Sequence, residues 1–194
     1  MKKTHAGTSP NLATIAAISD EDQQLVNVVV ETPKGGRTKF KYDETLAVFE
    51  VARLLPKGMV FPFDFGFVPQ TKADDGDPLD VLILMEEPMF PGCLLKARIV
   101  GVLEAEQTEE GETRRNDRII AVGSGSIDFA EVKNIEDLPR TSLEQIEEFF
   151  ITYNRQCGKE MRFLDRKGPS AAWKRLDRSF GLRKAAAGLR KAAA

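Results

Sequence analysis

The sequence predicts an α+β fold, mainly β, built as an antiparallel barrel or strongly bent sheet with helices packed on one side. Two patterns carry that expectation. Valine-rich segments, and segments alternating with a period of two, occupy the chain up to residue 122. Apolar residues at helical spacing appear only later, at Leu143, Ile146, Phe149, Phe150 and Tyr153. A chain of 194 residues suits one domain with a sizeable core.

The elements follow in order. In the opening stretch Asn11, Thr14 and Ser19 interrupt "NLATIAAISD", so residues 1–22 read as a flexible tail rather than a signal peptide. The domain is expected over 23–180. "QLVNVVVETP" (24–33) is a strand closed by Pro33, and "KGGR" (34–37) supplies turn glycines. In "RTKFKYD" the period of two places Arg37, Lys39 and Lys41 on one side of a second strand, and a hairpin through the glycines brings Glu31 near that row. "TLAVFEVARLL" (45–55) is a further strand, followed by four phenylalanines between prolines in "MVFPFDFGFVP" (59–69). Strands are expected at 79–85, 93–107 and 117–122, with "EQTEEGE" (106–112) as a connection. Thr141 or Ser142 starts an amphipathic helix over 141–156. Pro169 and Ser170 start a last helix carrying Trp173, Leu176 and Phe180. "GLRKAAA" then occurs at 181 and again at 188; two copies are too few for a solenoid or a stable coiled coil, so 181–194 reads as a basic, helical or frayed tail.

Composition bounds the function. The 28 Lys and Arg nearly balance 30 Asp and Glu, and a net charge of −2 points to no special partner. Residues 74–87 carry six acids and no base, while 165–194 carry nine bases and two acids. Charged stripes of this kind are ordinarily solvated faces, so nucleic acid is not an expected partner. Cys93 and Cys157 match no metal or redox spacing and fit a reducing, cytoplasmic setting. No segment approaches the ~20 apolar residues of a membrane helix. The one histidine, His5, lies in the tail, which argues against most catalytic triads and histidine-ligated metal sites.

The chemistry concentrates in "DDGDPLD" (74–80), which runs straight into the apolar "VLILM". Asp75, Asp77 and Asp80 cannot all stay ionised within a few ångströms without a counter-cation, and a hard divalent ion such as Mg²⁺ is the simplest one. Gly76 permits a close approach of the backbone to a ligand, and Pro78 fixes the chain before the strand. A calcium loop starting at Asp75 fails, because Leu79 fills the fifth position and Asp80 the sixth, where glycine is required. An acidic Gly/Pro turn is also an ordinary surface feature. The cations Lys39, Arg53 and Arg118, with Arg37 and Lys41, lie in strand-like segments able to converge on the loop, where a phosphate would need them.

"VVVETP", "FPFDFGFVP", "DGDPLDVLIL", "PGCLLKARIVGVLE", "NIEDLP" and "EFFITYN" occur in the order found in soluble family I inorganic pyrophosphatases, and the chain resembles that family over about residues 25–165. The resemblance implies a small five-stranded OB-like barrel with flanking C-terminal helices. It also implies Mg²⁺-dependent hydrolysis of inorganic pyrophosphate by several ions, with Mn²⁺ or Zn²⁺ as substitutes, in a cytoplasmic homo-oligomer. By position, Asp75 and Asp80 match metal ligands, and Asp77 the base that prepares a metal-bound water. Glu31 and Glu109 match metal-site acids. Lys39, Arg53 and Arg118 match phosphate-binding cations, and Tyr153 a tyrosine that bonds a phosphate oxygen. The chain departs from the pattern at five places. Lys41 replaces an acid, Phe61 and Phe65 replace tyrosines, and Asn154 replaces a lysine. Asn116 replaces a metal-site aspartate for which the adjacent Asp117 stands in. These departures leave a catalytically weakened barrel, binding metal and a phosphorylated ligand, as the alternative.

Overall fold

A computed structural model describes residues 11–20 and 24–192, with side chains described through Gly181. The strands are β1 (Ile18–Asp20), β2 (Leu25–Thr32), β3 (Thr38–Asp43), β4 (Val48–Leu54), β5 (Asp64–Phe67), β6 (Asp80–Leu84), β7 (Leu94–Glu109), β8 (Glu112–Arg115), β9 (Arg118–Gly123) and β10 (Glu160–Lys167). The α-helices are α1 (Arg140–Gln156) and α2 (Pro169–Ala192).

β2, β5, β6, β9 and β7 pair in that order, and β7 pairs back onto β2, which closes a five-stranded ring. β6 and β9 run parallel, in register Val81 with Ile119, and the other four contacts are antiparallel. Closure leaves no free ladder edge within the ring. Gly66 of β5 makes it tight, because a Cβ there would lie 2.1 Å from the Val29 carbonyl oxygen.

Both faces of β2, β6 and β9 are buried, which is why they read as nearly continuous apolar runs, whereas β7 is buried only through its middle. Leu82, Leu84, Ile120 and Val122 join Phe65 in a cluster under Leu143, Ile146 and Phe150 of α1. Val81, Ile83, Ile119 and Ala121 join Val26, Val28 and Val30 in a second cluster, which Ala172 and Leu176 of α2 complete. The two helices thus serve two different faces of the barrel rather than one common side. β3 and β4 form a separate two-stranded hairpin. It is tied to β2 by side chains: Thr32 Oγ1 accepts from Phe40 N–H at 3.1 Å, and Glu31 Oε1 accepts from Tyr42 N–H at 2.7 Å.

Several sequence expectations change here. Residues 106–112 are not a loose connection, since β7 runs on to Glu109 and turns through Glu110-Gly111 into β8. β10 is an edge strand on β7 with little beyond Met161 buried, so it lacks the apolar alternation that marks a strand. Side-chain forks fix it instead, with Arg166 Nε and Nη2 donating to the two carboxylate oxygens of Glu147 on α1 at 2.7 and 2.8 Å. α1 begins after Pro139 with no side-chain cap, so neither Thr141 nor Ser142 is its N-cap. Residues 11–20, read as tail, hold to the barrel through a short 3-10 turn, the β1–β2 pairing and the buried Ala13 and Ala17. The rest of the 1–22 tail lies outside the described residues. Over the C-terminal repeat the backbone of α2 continues as helix to Ala192. Among the described residues no helix is long and apolar enough to cross a membrane.

Candidate active site

The acidic loop is built from its base upward. Buried Thr71 donates to the Val68 carbonyl at 2.5 Å and accepts from Leu79 N–H at 2.9 Å, which pins both ends of the loop. Ala73 N–H reaches the Asp77 carbonyl at 2.7 Å, and Gly76 takes φ +95°, a left-handed conformation that favours glycine. Asp75 Oδ1 accepts from Asp77 N–H at 3.1 Å. Asp80 then opens β6, paired with Phe67 of β5, and the next residue, Val81, pairs with β9 as well.

The hairpin supplies cations opposite the loop. Lys39 pairs in register with Arg53, and a bulge follows between Lys39 and Phe40. Lys39 and Lys41 both reach the cleft, whereas Arg37 turns away to donate to the Leu55 carbonyl at 3.0 Å. Lys41 Nζ bonds both oxygens of Asp77 at 2.9 Å. Lys39 Nζ lies 5.5 Å from the centre of the Phe65 ring and 5.8 Å from that of Tyr153, and burial lowers its pKa.

Arg118 enters from β9. Its Nη1 meets Asp80 Oδ2 at 2.6 Å, and its side chain is 6% exposed. The same nitrogen donates to the side-chain oxygen of Asn116. The guanidinium lies over the Phe65 and Phe150 rings at 5.8 and 5.4 Å. Tyr153 comes from α1, its ring stacked 6.1 Å from Phe149; burial and then the Cys157 sulfur push its hydroxyl up to about 12. The phenol therefore stays a proton donor across the working pH range.

The walls enclose a cleft of about 1130 Å³. Of the residues singled out from sequence, Glu31, Lys39, Arg53, Asp75, Asp77, Asp80, Glu109, Arg118 and Tyr153 all line it. Asp117 does not. In the two-residue link between β8 and β9, Asn116 takes the cleft side and Asp117 the far one. There its carboxylate meets Arg115 Nη2 at 2.8 Å and Arg175 Nε of α2 at 2.7 Å, and accepts from Ala105 N–H at 2.9 Å. Asp117 is a structural anchor for α2, not a metal ligand. Asp117→Ala is expected to cost about 2 kcal/mol, less than a sealed pair would, because both arginines are about a third exposed and keep Glu104. Denaturant unfolding measures this; lost Mn²⁺ affinity at unchanged stability would return Asp117 to the site.

Two partners of the site were not legible. Lys159, just past α1, pairs with Glu109 at 2.7 Å. Arg178 of α2 holds Asp74, the loop's first acid, at 2.9 Å from behind. Each partner comes from a distant element and follows no local motif. The substituted Asn154 is buried in the cleft wall, and its side-chain N–H donates to the Phe150 carbonyl at 2.8 Å, which leaves no cation where the family pattern has lysine. Phe61 and Phe65 are 2% exposed, yet both contribute ring surface to the cleft wall.

The acids fit a hard cation. Burial, then the charge of Asp80, raises the pKa of Asp75, and burial with Asp80 pushes Glu31 from 4.5 to about 7 against the Tyr42 N–H bond. A divalent ion would relieve that crowding. Among the described residues no three His, Cys, Asp or Glu side chains form a ready-made cage. Mg²⁺ ordinarily needs only one or two protein carboxylates, completing its shell with water and phosphate oxygens.

A closed barrel that sets carboxylates against ammonium and guanidinium groups across one cleft defines an OB-like barrel protein with the charge pattern of a phosphate site. Comparison with known proteins narrows the class. The family model described as inorganic pyrophosphatase matches residues 28–183. "Soluble inorganic pyrophosphatase 5" of Arabidopsis thaliana is 36% identical over 158 residues, 81% of this chain and 71% of the relative. "Inorganic pyrophosphatase" of Synechocystis sp. is 37% identical over 153 residues, covering 79% and 84%. The crystal structure of the inorganic pyrophosphatase from Thermus thermophilus superposes with a TM-score of 0.81 at 30% identity, covering 90% of this chain and 99% of that one. The chain belongs to the inorganic pyrophosphatase family.

Proposed function

We propose that this protein hydrolyses inorganic pyrophosphate to two phosphates with Mg²⁺, several ions taking part and Mn²⁺ or Zn²⁺ serving as substitutes. The observation that carries the reading is the single cleft in which Asp75, Asp77 and Asp80 face Lys39, Arg53, Arg118 and Tyr153. Ions bound there would supply a water of lowered pKa and neutralise charge on the departing phosphate. Asp75 and Asp80 would hold them, with Glu31 and Glu109 as outer acids. Asp77 accepts the proton of the attacking water. Lys39, Arg53 and Arg118 bind phosphate oxygens, and the Tyr153 hydroxyl donates to another. With no covalent intermediate required, the chain's contribution is positioning and charge.

The catalytic domain, expected over 23–180 and extended by the packed residues 11–20, works in the cytoplasm as a homo-oligomer. Support for self-association comes from apolar side chains left exposed on and beside β4, where Leu46, Val51 and Leu54 are more than 60% accessible. Phosphate release from pyrophosphate, measured in parallel with Mg²⁺, Mn²⁺, Zn²⁺ and Ca²⁺, tests the activity. Release is expected with Mg²⁺; a folded protein releasing none with any of the four overturns the proposal.

A further inference from the structure

The cleft carries its own counter-charges. Around the acidic loop, Glu31, Asp75, Asp77 and Asp80 face Lys39, Lys41, Arg53 and Arg118, among further charged residues of the same walls. Two of these cations make direct contact. Arg118 is held within the wall beside Asp80, over two aromatic rings. Lys41 differs in being half exposed and in bonding both oxygens of one carboxylate. It also lies within the electrostatic reach of Glu31 and Asp80. A single ammonium group therefore lies in the field of three site acids, closest to the one assigned as base.

We infer that Lys41 is a resident counter-cation of the site. It takes the electrostatic place of one divalent ion beside Asp77, so the substrate-free protein binds fewer or weaker ions than its acids alone would hold. The geometry supports this: an ion coordinated by an Asp77 oxygen must displace Nζ from 2.9 Å or share the carboxylate with it. Phosphate offers Nζ another partner. A substrate arriving with its own ion draws the ammonium toward phosphate oxygens and frees Asp77 for the water. Lys41 is accordingly a positioning residue, acting through Asp77.

The inference rests on the metal-dependent reading of the cleft, and its test needs no turnover. Mn²⁺ binding to the full chain without substrate is followed by the loss of the free-ion spin-resonance signal and by titration calorimetry, for wild type, Lys41→Gln and Lys41→Arg. Two charges on the ion and one on the ammonium, about 6 Å apart in water, repel enough for roughly a tenfold change in affinity. Lys41→Gln is therefore expected to bind Mn²⁺ about 10-fold more tightly or to take up one additional ion. Lys41→Arg keeps the charge and is expected to match wild type. Equal binding in wild type and Lys41→Gln overturns the role of Lys41 while leaving the metal site standing. No binding in any of the three overturns both the inference and the metal-dependent reading beneath it. Lys41 lies on a half-exposed hairpin face, so both variants are expected to fold, and their unfolding temperatures confirm it.

Discussion

Asp77→Asn is expected to lower Mg²⁺-dependent phosphate release by about 10² to 10⁴-fold, the range for loss of a positioned general base. The change is nearly isosteric. The loop keeps its shape, because its turn is held by Thr71, by the Ala73 N–H bond to the residue-77 carbonyl and by Gly76, none of which uses the Asp77 side chain. What disappears is the carboxylate that would take the proton. Lys41 loses its ionic partner, but that pair is about half exposed, so little stability is at stake. The informative measurement therefore pairs turnover with unfolding temperature. Full activity in the folded variant would remove Asp77 from the chemistry.

The second large effect is on stability, and it depends on pH through Glu31. Its ordinary pKa is 4.5, and burial raises it to about 7 in the folded protein. Below 4.5 both folded and unfolded chains carry the proton, so the group contributes no penalty. Between 4.5 and about 7 the unfolded chain releases the proton first, and folding stability falls as pH rises. Above about 7 both forms are ionised and the full cost remains, about 3 kcal/mol for the metal-free protein. Glu31→Gln keeps an oxygen for Tyr42 N–H and removes the charge, so its stability should lose this slope. Added Mg²⁺ should recover more stability at pH 8 in wild type than in the variant. Parallel slopes for the two proteins would show that Glu31 does not carry the titration.

These contrasts show what can be read from sequence. The acidic loop was legible because its chemistry is local: the acids, the glycine and the proline sit within a few residues, and the turn they specify delivers Asp80 directly to a core strand. Lys39 and Lys41 were legible because period-two alternation fixes a face once a strand forms, although Arg37 on the same row turns away to the Leu55 carbonyl, and Arg53 was legible only through the family resemblance. Asp117 was not, since one residue's offset at the start of β9 decides between the cleft and the α2 anchor, and the Asn116 N–H bond to the Ala105 carbonyl settles that offset only in three dimensions. β10 escaped notice for a related reason. Its stability comes from partners on β7 and α1, and its own residues are mostly charged. The phenylalanines at 61 and 65 show a third limit, because a residue can be core and site wall at once.

The closed ring also sets the order in which a working protein can come into being. β2 pairs with β5, which follows soon after it, but its second partner is the start of β7, so Val26 waits for Ala97. β6 likewise waits for β9, its parallel neighbour. Contacts between such distant parts of a chain slow folding, because the loop entropy is lost before the contacts form. On the ribosome, the segment bearing the acidic loop emerges well before the strands that brace it, and it has no barrel to join until β7 and β9 follow. Arg118, the guanidinium against Asp80, begins that last ring strand. Closing the ring and seating Arg118 against Asp80 are thus a single late event, and nascent chains halted before residue 118 should have neither.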